Sequence, residues 1–434
     1  MAALTPGASP ADAADGHIEA PGLQPFVMAL FFIFGGITSL NDVIIPKLKE
    51  LFTLNYMQAM LVQSAFFAAY FIVSIPGAAL VKRIGYMRGA VAGLLLMMAG
   101  CLLFVPASSS ATFGVFLFAL FVLASGITIV QVVANPLISL LGPPRTAPSR
   151  LTFAQAFNSL GTTLFPYVGS ILILGTLAQA SAGTLSGAAL DAYRVRETQI
   201  VVQSYLGLAA ALAVVAGVVW LNRNRLKHED HEGGVLAGFG LLKRPRFAFG
   251  TLCIFLYVGA EVSIGSMIVN YLRQPEVMGL AEQAAGKLIP LYWGGALIGR
   301  FLGSALLRVI NPGKILAFQA LGAIALILVS ANTTGTVAGY SLLAIGLMNS
   351  IMFPTIFSLG CEGLGARAAD GSGVICVAIV GGAVIPPLTG HVADLSGHLA
   401  FALVVPALCY LVIAAFGNFA RRPVEPLEPA DVRA

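Results

Sequence analysis

Three ionisable side chains stand inside otherwise apolar runs: Asp42 in "GGITSLNDVIIPKL", Glu261 in "YVGAEVSIGSMIVNYL" and Arg300 in "YWGGALIGRFLGSAL". Holding a charge there costs about 2.5 to 3.5 kcal/mol on insertion scales, so each marks a working site by default. A carboxyl held away from water can load a proton on one side of a barrier and release it on the other. Asp42 and Glu261 are therefore candidate proton or cation carriers. The competing reading is structural, a carboxylate fixed by hydrogen bonds or tied to a neighbouring helix by Arg300.

Neutral amides gather at helical spacing. In "TIVQVVANP" Gln131 and Asn135 are four apart, and in "FAQAFNSLG" Gln155 and Asn158 are three apart, so each pair shares a helix face. Amides both donate and accept. A lining of that kind, with Asp42 and its neighbour Asn41, suits a ligand dense in hydroxyl groups, and a sugar fits. Tyr257, Tyr292, Trp293 and Phe353 are candidates to stack on its ring carbons, against the commoner use of membrane aromatics in packing. Gln63, Asn270 and Asn349 are further lining candidates, with interhelical hydrogen bonding as the alternative.

The elements that must hold these residues are membrane helices. The chain has 434 residues, 58% hydrophobic and 10% charged, with a mean hydropathy of +0.90, far from a soluble domain. Runs long enough to span a bilayer, about 20 residues each, fall at 25–46, 57–81, 88–106, 113–141, 150–175, 200–221, 247–272, 284–308, 314–331, 336–361, 371–394 and 398–418. The expected fold is all-α, with twelve transmembrane helices in two pseudo-symmetric six-helix bundles. Residues 1–24 read as a disordered cytoplasmic tail, 25–221 and 247–418 as the bundles, 222–246 as a cytoplasmic loop between them and 419–434 as a cytoplasmic tail.

With both termini cytoplasmic, seventeen of the 24 Lys and Arg residues fall inside and six outside, Arg300 being within a span; this obeys the positive-inside rule. Topology thus accounts for the net charge of +5, and no nucleic-acid partner is implied. The five cysteines lie in or beside spans without metal-type spacing and read as small core residues.

The halves repeat one another. Gly161 and Pro166 match Gly381 and Pro386 at one offset; Pro136 and Gly142 match Pro354 and Gly360; Lys82 and Arg88 match Arg308 and Lys314. Lys82, Arg83 and Arg88 form a cationic turn after the second span, and Arg308 stands at its counterpart after the eighth. Such a turn can pair with groups of the opposite bundle in one conformation only, so these residues and Arg300 are candidate gates. The competing reading is a cluster that only sets topology.

"SLNDVIIPKLKELFTLNYMQAMLVQSAFFAAYFIVSIPGAAL", "QVVANPLISLLGP", "FAQAFNSLGT", "YVGAEVSIGSMIVNYL" and "MFPTIFSLG" together resemble the fucose, galactose and glucose:proton symporter family of the major facilitator superfamily, from about residue 25 to 418. The resemblance implies a sugar site midway through the membrane, alternating access, and a plasma (inner) membrane location. Asp42 matches the aspartate that the family's L-fucose permease uses in proton coupling, and Gln155 with Asn158 match an amide pair of its sugar cavity. Gln131 stands where that permease has a glutamate, which is similar to the glucose/galactose branch. The expectation is a monomeric hexose importer for glucose or galactose, without cofactor, driven by protons. Sodium coupling, or N-acetylglucosamine or L-fucose as cargo, are the alternatives, with a non-transporting sugar receptor a remote one. No nucleophile–base pair, metal cluster or phosphate loop appears at motif spacing, so an enzyme is not expected.

Overall fold

The structure, a computed structural model, describes residues 21–51, 56–110, 112–169, 187–225 and 236–422. The side chains of residues 41–60, Asn41 and Asp42 among them, lie outside the described part, as do most of both tails and residues 226–235 of the inter-bundle loop.

Within a bilayer a backbone finds no hydrogen-bond partner but itself, so the apolar runs close their bonds locally as helices. Five spans of the first half are continuous or nearly so: α1 (Gln24–Leu51), α2 (Tyr56–Ile84), α5 (Phe113–Leu140), α6 (Ala147–Gly169) and α7 (Ala188–Leu221); the third is α3 (Tyr86–Leu102) followed by the short α4 (Phe104–Ser110). The second half runs α8 (Pro245–Arg273), a short α9 (Glu282–Gly286), α10 (Ile289–Leu306), α11 (Pro312–Asn332), α12 (Gly335–Asn349), α13 (Met352–Gly360), α14 (Ala368–Ala378), α15 (Gly381–Ser396), α16 (Leu399–Ala402) and α17 (Val404–Phe419). Nine stretches among the described residues are long and apolar enough to cross a membrane, and Gln24–Leu40 is a shorter apolar one. With α6 and α10, which carry more polar residues or fewer turns, they make the twelve spans.

Local sequence sets several ends. Asn311 caps α11 by accepting the Lys314 backbone N–H at 3.3 Å, and Pro312 takes the first turn, where its missing N–H costs nothing. The repeat glycines have one shared job. A Cβ at Gly161 would run into the Phe32 carbonyl of α1, and one at Gly381 into the Phe255 carbonyl of α8. Each lets the fifth or eleventh span lie directly on the first or seventh, the close backbone approach that small residues permit in membranes.

The repeat is not exact. α5 passes through Pro136 unbroken, whereas span ten stops at Asn349 and restarts at Met352, and span eleven is interrupted between α14 and α15. α13 packs on α6 of the other half as well as on α8 and α11 of its own, and α14 on α2 and α5 of the other half as well as on α8, whereas α12 packs on α8, α10 and α11 of its own half. α10 also lies along α6. The halves therefore close on each other at the end that carries the inter-bundle loop.

Candidate functional site

Around the break in span ten, four helices bring polar groups together. Tyr257 and Glu261 lie one turn apart on α8, Tyr292 on α10, Asn349 at the last position of α12, and Tyr410 on α17. Tyr410 donates to Asn349 Oδ1 (2.7 Å), Asn349 Nδ2 donates to Tyr292 Oη (2.8 Å), and Tyr292 donates to the Glu261 carbonyl (3.4 Å). Asn349 and the three tyrosines are fully buried, and Glu261 is half-buried at the edge of the cluster.

The remaining bonds do not balance. Tyr257 Oη stands 2.8 Å from Glu261 Oε1 and 3.1 Å from the Asn349 carbonyl, and a phenol has one proton to give. With Glu261 ionised, only one of those two acceptors is served. With a proton on Glu261, the carboxyl donates to Tyr257, Tyr257 donates to the carbonyl, and every group is paired. A proton on Glu261 would thus pair one more group of the cluster than an ionised carboxylate does.

Arg300 serves the same break from the other side. Pro354 has no N–H for the carbonyl four residues earlier, which is that of Ser350, and Arg300 Nε donates to this oxygen at 3.2 Å. Its Nη1 donates to the Gln155 carbonyl (3.2 Å) and to Ser159 Oγ, both on α6 of the opposite half. The guanidinium thus places three of its five N–H groups on two backbone carbonyls and a hydroxyl, rather than acting as a direct tie for Glu261.

In the first half, Gln131 donates to Tyr70 Oη at 2.8 Å and Asn158 to the Phe31 carbonyl at 3.3 Å. Gln155 is buried, and Gln63 is half-buried with polar partners of its own. Asn135 is wholly buried, yet neither of its side-chain polar atoms has a hydrogen-bond partner among the described residues. Trp293 is exposed and meets Tyr292 edge-on at 5.0 Å, while Phe353 lies 6.4 Å from Tyr257. Asn270 is exposed nine residues beyond Glu261, about 13 Å along the helix, and stands apart from the cluster.

The two halves are fastened below this level. Lys82 Nζ of α2 lies 3.1 Å from Asp370 Oδ1 of α14, and Arg367 Nε lies 3.6 Å from the second carboxylate oxygen. Arg308 donates to Ser149 Oγ (3.4 Å), Ser149 donates to the Ser304 carbonyl (2.6 Å), and Phe301 meets Phe153 edge-on. Arg83 and Arg88 are exposed at the same turn. Outside the spans, burial raises the pKa of the Glu362 carboxyl, opposed by the Arg246 guanidinium that donates to it.

Sequence reasoning missed Tyr70, Tyr410 and Asp370. The tyrosines sit in apolar runs where a phenol looks like packing, and Asp370 falls one residue before the span assigned to 371–394.

A helical membrane protein with two structurally repeated halves, joined by a loop and meeting around polar groups at mid-helix, is built as a carrier. The chain belongs to the Major Facilitator Superfamily, which it matches over residues 27–386. It is similar to a glucose/galactose transporter of Brucella abortus biovar 1 (strain 9-941), with 50% identity over 390 residues covering 89% of this chain and 91% of that one. It is also similar to the L-fucose-proton symporter of Escherichia coli (strain K12), with 35% identity over 406 residues covering 91% and 92%. The crystal structure of the transporter FucP in its outward conformation superposes with a TM-score of 0.84 at 33% identity, covering 92% of this chain and 99% of that one.

Proposed function

We propose that the protein imports a hexose, glucose or galactose, by proton symport through alternating access. The observation that carries the coupling half of this reading is the single Tyr257 hydroxyl set between two acceptors, Glu261 Oε1 and the Asn349 carbonyl: a proton on Glu261 frees that hydroxyl for the carbonyl, so loading and unloading switches the hydrogen bonding of the cluster. Asp42, on α1, is the second carrier in this reading, on the strength of its motif. The relatives' names supply the cargo, and the L-fucose-proton symporter's name supplies the ion.

The sugar binds between the halves, with Asn135, Gln155 and Asn158 from the first and the Tyr292–Asn349 region from the second. Asn135 supports this assignment because both ends of a buried amide are unspent among the described residues, and such a group normally has a partner. Residues 25–221 and 247–418 act as the two rocking bodies. Both termini and the inter-bundle loop face the cytoplasm from the inner membrane, so that Lys82–Asp370 and the Arg300 and Arg308 contacts seal the inner side and the sugar site opens outward.

Counterflow in proteoliposomes tests the cargo: a panel of labelled glucose, galactose, L-fucose, mannose and N-acetylglucosamine should give exchange with the first two. L-fucose is the second reading, favoured by the 35% identical symporter; exchange of L-fucose alone would replace the hexose assignment. An imposed pH gradient, inside alkaline, should drive accumulation, with choline in place of sodium leaving it unchanged.

A further inference from the structure

The inter-bundle loop ends in a 3-10 helix, Ala237–Lys243, that leads into α8 at Pro245. Runs of this kind longer than three or four residues are uncommon, and side chains three apart eclipse one another. Leu236, Phe239 and Leu242 therefore form one ridge, and they are 68%, 42% and 38% exposed. The opposite face is spent on the protein. Leu241 is buried, Gly238 comes so close to the first turn of α14 that a Cβ would press on the Asp370 carbonyl and Val374, and Arg367 donates to the Ala237 carbonyl at 2.8 Å.

Position fixes what lies against the ridge. α8 has 29 residues, about 43 Å at 1.5 Å each, which exceeds the roughly 30 Å hydrocarbon core and places its ends in the headgroup layers. The segment that runs into Pro245 is at that depth. Its charge matches an anionic surface: Lys243 is exposed at its end, and Arg422, whose carbonyl accepts from Arg246 Nη1, is exposed on the same rim. An apolar ridge edged by cations is the pattern of an element lying in an interface.

We infer that Ala237–Lys243, with Leu236, is an interfacial anchor that seats its apolar ridge in an anionic leaflet and holds the second bundle to that leaflet. The segment packs on α8 and α14, and Arg367 joins it to the carboxylate that Lys82 grips. The first bundle is then the one that moves relative to the lipid when Lys82 lets go.

Full-length Phe239→Trp protein, reconstituted in vesicles of phosphatidylcholine or phosphatidylglycerol brominated high on the acyl chain, tests this directly. The emission added over that of the parent chain should be quenched by the brominated lipid and shielded from aqueous iodide. Brominated phosphatidylglycerol should be preferred, and Lys243→Gln should weaken that preference about fivefold, the factor for one cation at an anionic surface. Quenching by iodide and not by lipid would place the ridge in water; quenching by neither would mean that protein covers it; either overturns the anchor. Equal quenching by the two lipids in the parent background would overturn the anionic preference.

Discussion

Lys82 of α2 and Asp370 of α14 meet at 3.1 Å between the two halves, with 9% and 6% of their side chains exposed. Removing one member of such a pair strands the other charge, at about 3 to 5 kcal/mol if it stays buried. Here the halves can separate instead and hydrate it. Asp370→Asn should therefore shift the protein toward the state open at the loop end. Spin labels at Arg88→Cys and Lys314→Cys, both exposed at that end and in different halves, should report a longer distance population in Asp370→Asn. An unchanged distribution would mean that the pair does not hold the closed state.

Arg300 is asked to do something a lysine cannot. Three acceptors, the Ser350 and Gln155 carbonyls and Ser159 Oγ, are reached from a planar fork, whereas an ammonium is a compact point charge on a flexible stem. Arg300→Lys should slow transport about tenfold or more, since hydrogen bonds to charged groups contribute about 1.5 to 3 kcal/mol each. Sugar affinity should change less. Initial uptake rates alongside equilibrium binding separate the two, and wild-type rates in Arg300→Lys would show that charge alone suffices.

Asn135 and Asn349 are both wholly buried amides, yet they should fail differently. Asn349 is bonded to Tyr292, Tyr410 and, through its carbonyl, Tyr257; Asn349→Ala leaves the buried Tyr410 hydroxyl without its acceptor and removes the donor to Tyr292, and should destabilise by about 2 kcal/mol or more. Asn135 has no side-chain hydrogen-bond partner among the described residues. Asn135→Ala should leave the melting temperature nearly unchanged while weakening sugar binding about tenfold, the cost of one hydrogen bond to a ligand. Thermal unfolding with and without sugar distinguishes them. A large drop in the apo melting temperature for Asn135→Ala would place that amide in structure instead of the sugar site.

The spans and the two-fold repeat were legible because apolar length and paired glycines and prolines are sequence properties. What those prolines do was not. Pro136 and Pro354 occupy matching positions, but only Pro354 lies beside a break, where Arg300 takes the Ser350 carbonyl that the proline leaves free and Tyr257 takes the Asn349 carbonyl that a continuous helix would have used. Glu261 was visible as a costly charge; its competition for the Tyr257 hydroxyl was not, since that depends on the Asn349 carbonyl, 92 residues from Tyr257, reaching the same phenol. Lys82 was readable as a cationic turn, whereas its partner Asp370 looked like part of a loop until α14 placed it against α2.

The central claim is that Glu261 carries the coupled proton, and sugar-evoked proton uptake tests it most directly. Adding glucose or galactose to lightly buffered, de-energised cells or vesicles should alkalinise the medium with the wild-type chain. Glu261→Gln, which offers a permanent N–H donor to Tyr257, should keep sugar exchange while losing that alkalinisation. Undiminished proton uptake in Glu261→Gln, with exchange intact, would contradict the assignment.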